Sequence, residues 1–85
     1  MKTIWKYYLT ITDRQTISTP FGAKPIYVAQ QAERICIWFE VELDTGREED
    51  HEIMIVGTGN PITAQPYKYI GSVGNQFPWH IFEVL

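Results

Sequence analysis

The segment RICIWFEVEL, residues 34–43, alternates between two kinds of side chain with a period of two. One set of alternate positions is entirely apolar: Ile35, Ile37, Phe39, Val41 and Leu43. The intervening positions are mixed: Cys36, Trp38, Glu40 and Glu42. Because successive side chains of a strand point to opposite faces, this pattern predicts a β-strand that buries one face. It is the clearest strand signal in the chain, and it sets the fold class.

Six further segments have strand composition, and turn-forming residues separate them. They are residues 3–13, 14–19, 26–30, 51–56, 67–73 and 77–84. Residues 31–33 and 74–76 fit hairpin turns, and no segment shows helical periodicity, although residues 62–67 have room for one helical turn. Neither a linker nor a repeat divides the chain. We therefore predict one mainly β domain over residues 1–85, a small antiparallel β-sandwich or barrel-like domain of six to seven short strands.

The run Ile53-Met54-Ile55-Val56 is apolar on both faces of its strand. Such a strand is either central and covered on each side, or it meets a partner. A chain of 85 residues buries only about 60–65% of its unfolded surface, so a second copy is an attractive source of further burial. We therefore expect a homo-oligomer.

Acidic residues are concentrated in one stretch of the chain. Seven of the ten lie within residues 40–52 beside a single base, Arg47, so this stretch carries −6 and the remainder, with six bases and three acids, +3. The total of −3 disfavours general nucleic-acid binding, which needs clustered Lys and Arg. Residues 44–50 are predicted to form an exposed, solvated hairpin tip. The alternative is a docking site for a basic partner protein. It would consist of Glu48, Glu49 and Asp50.

The turn Gly57-Thr58-Gly59-Asn60 follows the predicted strand at 51–56. Glycines let backbone N–H groups point into a concavity that can hold an anion or a phosphate. The chain has no G-x-x-x-x-G-K-[ST] motif, so a P-loop is excluded, and a strand-ending turn is the simpler interpretation. The chain also has more aromatic residues than one small core needs. A ligand-binding hypothesis combines both features in Gly57, Thr58, Gly59, Asn60, Trp38 and Tyr69.

No combination of residues indicates catalysis or metal binding. His51 and His80 have no Cys or His at metal-ligand spacing. We interpret His51 as a solvated strand end and His80 as an interior or interface residue bonded to the backbone. Cys36, the only cysteine, lacks a nearby base and is interpreted as a small packed residue. Ser18 and Ser72 lack the G-x-S-x-G context of a nucleophilic serine. We therefore expect a non-enzymatic protein that binds neither a metal nor a cofactor.

Export and membrane insertion are not expected either. The first residues lack the apolar core of a signal peptide, and no apolar run approaches about 18 residues. A single cysteine cannot form an intrachain disulfide. These features favour a cytoplasmic protein that does not enter a membrane.

Short motifs spaced along nearly the whole chain resemble one protein family. They are Thr3-Ile4-Trp5-Lys6-Tyr7, Gln15-Thr16-Ile17, Pro20-x-Gly22-Ala23-Lys24, Cys36-Ile37-Trp38, Ile55-Val56-Gly57-Thr58-Gly59, Tyr69-Ile70-Gly71 and His80-Ile81-Phe82-Glu83. The family consists of small, uncharacterised bacteriophage and prophage proteins classed as a domain of unknown function. The resemblance implies a viral setting in the cytoplasm of an infected bacterium. It brings no known activity and no catalytic residues.

We therefore expect a non-enzymatic phage accessory protein that acts by binding, with counter-defence as one role. It would bind a host protein or, as an oligomer, sequester a small nucleotide-like signal. Two alternatives stay open. One is a structural or assembly protein of the virion, and the other is a protein-docking module that uses the acidic hairpin.

Overall fold

A computed structural model describes all 85 residues, which form seven antiparallel strands and no helix. The strands are β1 (Lys2–Leu9), β2 (Arg14–Pro20), β3 (Lys24–Gln31), β4 (Arg34–Glu42), β5 (Glu48–Gly57), β6 (Tyr67–Val73) and β7 (Trp79–Val84). They make a three-stranded sheet, in the order β1-β4-β3, and a four-stranded sheet, in the order β2-β5-β7-β6. The two sheets enclose one main core, so the predicted small antiparallel β-sandwich is confirmed. No helix capable of spanning a membrane is present.

Two of the predicted hairpins are present. β3 pairs with β4 through a two-residue turn, in which Ala32 and Glu33 both have positive φ, at 47° and 68°. This conformation matches the twist of the flanking strands, although Asn and Gly adopt it more readily. β6 pairs with β7 after a loop that begins at Gly74.

The connection between β4 and β5 differs from the sequence prediction. The hairpin tip predicted at residues 44–50 is wrong, because β4 and β5 belong to different sheets. Residues 43–47 cross between the sheets, and β5 begins at Glu48, which is paired with Pro20 of β2. The crossing lets the apolar rows of β4 and β5 cover one another across the core. A hairpin would instead place the two rows side by side in one sheet, where neither could cover the other.

The core lies between the inner faces of the two sheets. Its buried members are Leu9, Ala23, Val28, Ile35, Ile37, Phe39, Val41, Ile53, Ile55, Val73 and Ile81. The apolar row of β4 supplies four of them, whereas Leu43 lies beyond the strand and is exposed. Cys36 projects from the other face of β4 and is fully buried, which confirms its interpretation as a packed residue.

β5 is a central strand that is covered on both faces, which is the first of the two alternatives given for its apolar run. It lies between β2 and β7, and Ile53 and Ile55 face the core. A second cluster covers its outward face: Met54, Val56, Ala64 and Phe82. Ala64 belongs to the connection between β5 and β6, so the chain itself supplies this cover.

The two sides of the sandwich differ in how closely the sheets approach. On one side a Cβ atom at Gly71 of β6 would lie 2.6 Å from Cγ2 of Val28 in β3, so any larger residue there would have to displace Val28. β6 also has a bulge between Tyr69 and Gly71. On the other side the edges of β1 and β2 border an open groove of about 610 Å³.

Candidate ligand site

The glycine turn closes the end of β5. The backbone N–H of Asn60 donates to the carbonyl oxygen of Gly57 at 3.0 Å, and Gly59 has a φ of +91°. A Cβ atom at Gly57 would lie 3.0 Å from Nδ2 of Asn60 and 3.2 Å from Cζ3 of Trp79. The glycine at 57 therefore lets the indole of Trp79 lie against the turn. This geometry agrees with the interpretation of the segment as a strand-ending turn.

A groove of about 590 Å³ separates this turn from the loop that leads into β7. Its lining residues are Gly57, Thr58, Asn60, Gln76, Phe77, Pro78 and Trp79. Phe77 is 82% exposed, which is unusual for so large an apolar side chain. No charged residue lines the groove. An apolar groove with a few polar groups at its rim suits an uncharged planar molecule.

A chain of side-chain hydrogen bonds leads away from the rim of this groove. Nε2 of His80 lies 2.8 Å from Oγ1 of Thr58, and Nδ1 lies 2.7 Å from Oγ of Ser72. That oxygen lies 2.6 Å from the hydroxyl of Tyr69. The interpretation of His80 as bonded to the backbone is wrong, because both ring nitrogens contact hydroxyl groups. Of the two aromatic residues in the ligand-binding hypothesis, Tyr69 is thus connected to the glycine turn.

The bulge in β6 makes this chain possible. Tyr69 and Ser72 are three positions apart, so a regular strand would place them on opposite faces of the sheet. The bulge at Ile70 adds one residue, and both side chains then lie on the outer face with His80. Sequence alternation alone could not reveal this contact.

Trp38 lies in a different part of the molecule. It projects from the outer face of the three-stranded sheet, where its ring lies 5.5 Å from that of Tyr27. Arg34 lies over the ring of Tyr8 on this sheet, at 4.0 Å. The predicted ligand-binding set is therefore divided between two faces. The glycine turn and Tyr69 belong to one sheet, and Trp38 belongs to the other.

The acidic stretch is also divided. On β4, Glu40 pairs with Lys2 at 3.2 Å, whereas on β5 Glu52 pairs with Arg14 at 2.7 Å. These strands lie in different sheets, so the stretch does not form one continuous patch. The reason for this separation is the connection that crosses between the sheets, where the sequence pattern predicts a hairpin.

The three proposed docking residues have different surroundings. Glu48 accepts a hydrogen bond from the hydroxyl of Ser18 at 2.9 Å. Glu49 accepts one from the backbone N–H of Gly22 at 3.1 Å, and its carboxylate lies 3.5 Å from Nε2 of His51. Asp50 is exposed, and its carboxylate makes no hydrogen bond or ion pair within the chain. Of the three, Asp50 is the one that a partner could approach without disturbing an existing contact.

His51 is buried, so its interpretation as a solvated strand end is wrong. β5 begins three residues earlier than predicted, and His51 shares the inward face with Ile53. Nδ1 of His51 lies 2.6 Å from the carboxylate of Glu83, and Nε2 lies 3.0 Å from Oγ1 of Thr19. The spacing of two between His51 and Ile53 is a sequence signal that could have found this position.

The Glu83, His51 and Thr19 side chains follow the order carboxylate, imidazole, hydroxyl of a catalytic triad. Thr19 is only 1% exposed, so no substrate can reach its hydroxyl group in this structure. The imidazole ring also packs at 5.0 Å from the ring of Phe39, inside the core. We therefore assign this cluster to the internal packing of the sandwich. No group of three or more His, Cys, Asp and Glu side chains could hold a metal ion.

A family model described as a domain of unknown function, DUF7352, matches residues 1–85. The chain belongs to this family. The family description gives no activity, so membership leaves the function of a DUF7352 domain to be inferred from its geometry. No curated protein and no solved structure matches the chain. The phage and prophage setting implied by the sequence motifs stays a prediction.

This DUF7352 domain has a second groove at the open side of the sandwich. Trp5 and Tyr7 of β1, Leu43 and Arg47 are among its lining residues. Burial raises the pKa of Tyr7 above its ordinary value of 10.0, and the negative charge of Glu48 raises it further. Arg47 stacks over the ring of Phe21 at 4.0 Å, so its charge is already engaged at the surface.

Proposed function

We propose that the protein is a non-enzymatic binding protein that holds a planar, uncharged ring in the groove beside the glycine turn. The exposed ring of Phe77, opposite the turn and close to Trp79, is the observation that carries this proposal. An aromatic side chain that is left in water gains most by stacking on another ring. The Thr58 and Asn60 side chains at the rim would then orient the ligand through hydrogen bonds.

This site refines the expectation of a nucleotide-like ligand. No Lys or Arg lines the groove, so a phosphate group would find no cation there. The N–H of Asn60 is already used within the turn, which removes one donor from any anion-binding concavity. A nucleotide would therefore be held through its base. Sequestration of such a molecule as a phage counter-defence is the biological form of the proposal, and sedimentation would test the expected self-association.

Calorimetry and protein NMR with nucleosides, cyclic nucleotides and ADP-ribose derivatives would test the site. Base stacking contributes about 1–3 kcal/mol by alanine substitution, so Phe77→Ala should weaken binding by about fivefold or more. Tyr27→Ala is the matched control, because Tyr27 is also an exposed aromatic residue but lies on the other sheet. Absence of binding by every compound would reject the proposal, as would equal losses in both variants.

A second candidate function is docking of a basic host protein. It is favoured by two exposed carboxylates, Asp44 and Asp50, that make no hydrogen bond or ion pair within the chain. Reversing the charge of both should reduce recovery of host partners in a pull-down at low salt. Lys substitution of Asp13, an exposed acid far from this stretch in the sequence, serves as the control. Unchanged recovery with the Asp44 and Asp50 variant would reject docking.

A further inference from the structure

In the hydrogen-bond chain from Tyr69 to Thr58, the number of protons on the His80 ring limits which groups can donate and which must accept. A neutral imidazole has one N–H donor and one nitrogen acceptor. Both ring nitrogens of His80 contact hydroxyl oxygens, at 2.7 and 2.8 Å. One of these hydroxyls must therefore donate to the ring while the other accepts from it. The ring proton has two possible positions, and they decide whether the Thr58 hydroxyl donates to His80 or keeps its hydrogen for the groove.

The phenol at the far end and the continuity of the hydrogen bonds together select one position of the ring proton. A phenol is more acidic than the aliphatic alcohols of Ser and Thr and is the better donor of the three. Tyr69 should therefore donate to Ser72, which lies 2.6 Å away. Ser72 should donate onward to Nδ1 of His80, because accepting from both neighbours would leave its own hydrogen without a partner among these side chains. Successive hydrogen bonds in one direction polarise and strengthen each other. Nε2 then carries the ring proton and donates to Oγ1 of Thr58.

This arrangement leaves the Thr58 O–H free at the rim of the groove. Its oxygen accepts from His80, so its own hydrogen can be donated to a bound molecule. We infer that the groove selects a planar ring that presents a hydrogen-bond acceptor, such as a ring nitrogen or a carbonyl oxygen, to Thr58. Tyr69, Ser72 and His80 are then positioning residues for this contact. The inference rests on the proposed function, because it assigns ligand chemistry to the same groove.

Isoquinoline and N-methylindole make a direct pair of probes. Both are bicyclic aromatic rings of similar size and are uncharged at about pH 7.5, but isoquinoline has a ring-nitrogen acceptor, whereas N-methylindole has neither an N–H donor nor a basic ring nitrogen. NMR titrations that follow the amides of residues 57–60 would give the two dissociation constants. One additional neutral hydrogen bond predicts that isoquinoline binds about threefold to tenfold more tightly than N-methylindole.

Two variants test whether the hydrogen bonds from Tyr69 to Thr58 produce this preference for isoquinoline. Thr58→Val removes the donor and should make the two affinities equal within a factor of about two. Tyr69→Phe removes the bias toward one direction and should reduce the preference by at least about twofold. Tyr67→Phe is the matched control. The rings of Tyr67 and Tyr69 both pack on the ring of Phe82, at 5.2 and 5.4 Å between centroids. The hydroxyl of Tyr67, however, takes no part in the hydrogen bonds that lead to His80.

The outcomes separate this inference from the proposed function. If neither probe shifts the amide resonances of the groove, the proposed ring-binding site itself fails. If both bind the unaltered protein equally well, or N-methylindole binds more tightly, the site stands and the acceptor preference is overturned. An equal loss of preference in Tyr67→Phe and Tyr69→Phe would overturn the positioning role of Tyr69. The positioning role is supported if Tyr69→Phe reduces the preference for isoquinoline, Tyr67→Phe does not, and Thr58→Val abolishes it.

Discussion

The two histidines of the protein lie in the same sheet but in opposite environments. His51 of β5 faces the core, where its partners are the carboxylate of Glu83 and the buried hydroxyl of Thr19. His80 of β7 faces outward and contacts the hydroxyls of Thr58 and Ser72. The first cluster is closed to solvent-borne molecules, whereas the second ends at an open groove. Residue type alone therefore does not distinguish a structural histidine from one that can orient a ligand.

The difference follows from which strand face each histidine occupies and from what covers that face. The inward face of β5 is covered by the opposite sheet, and the Phe39 ring packs on the imidazole of His51. The outward face of β7 is covered only partly, by the tyrosines of β6 that pack on Phe82. Inside the sandwich, the imidazole and the carboxylate must hydrogen-bond to protein groups, because burial removes water from both and an unpaired buried polar group costs free energy. On the outer face, hydroxyl groups and water remain interchangeable partners.

Substitution of each histidine should give the largest contrast. In His51→Ala the Glu83 carboxylate loses its partner while largely buried, and a cavity forms beside Phe39, so the free energy of unfolding should fall by about 3 kcal/mol. His80→Ala breaks two hydrogen bonds at the surface and should cost about 1 kcal/mol or less. Urea unfolding of both variants measures the difference. Equal losses would show that the two clusters contribute alike to folding.

The same contrast between faces can be tested at neighbouring residues of β6. Gly71 faces the core, and a methyl group there would overlap Val28, so Gly71→Ala should lower the free energy of unfolding by about 2 kcal/mol. Ser72→Ala, on the outer face, should cost only about 0.5 kcal/mol. Thermal or urea unfolding would compare them. A tolerated alanine at residue 71 would indicate that β3 and β6 can separate without cost.

Alkaline pH should reveal a smaller effect on the inner side. Burial, with an additional contribution from Glu48, raises the pKa of Tyr7 in the folded protein above the ordinary 10.0. Stability from the neutral phenol is therefore fully present below about pH 10 and is lost as pH rises through the folded pKa. Tyr7→Phe should lose less stability than the unaltered protein between about pH 9.5 and 11 in urea unfolding.

Unfolding of both proteins at neutral pH is the reference for this comparison, because the phenol of Tyr7 is neutral there in the folded and the unfolded chain. Identical pH profiles for the unaltered protein and Tyr7→Phe would contradict the assignment to Tyr7.

Much of the fold follows from alternation in the sequence. The apolar row that includes Ile35 and Phe39 predicts β4 and its buried face, and the run at 53–56 predicts a strand that is apolar on both faces. The turns at 31–33 and 74–76 predict two hairpins that are present. Alternation carries this information because a strand repeats every two residues and one face must leave water.

The candidate site was predicted only in part. The glycine turn could be located because glycine and proline mark turns directly in the sequence. Phe77 and Trp79 were missing from the predicted set, and Trp38 was included, because nothing local reports which loop faces which turn. The exposure of Phe77 is a property of the folded chain.

The sequence by itself determined the strands, most of the turns and the apolar faces of β4 and β5, because these depend on interactions between residues close along the chain. Tertiary structure decided that β4 and β5 lie in different sheets, which divides the acidic stretch and buries His51 beside Glu83. It also decided that a one-residue bulge brings Tyr69 and Ser72 to the same face as His80. These features depend on pairing between distant segments, and a shift of one residue in pairing reverses the face that a side chain occupies.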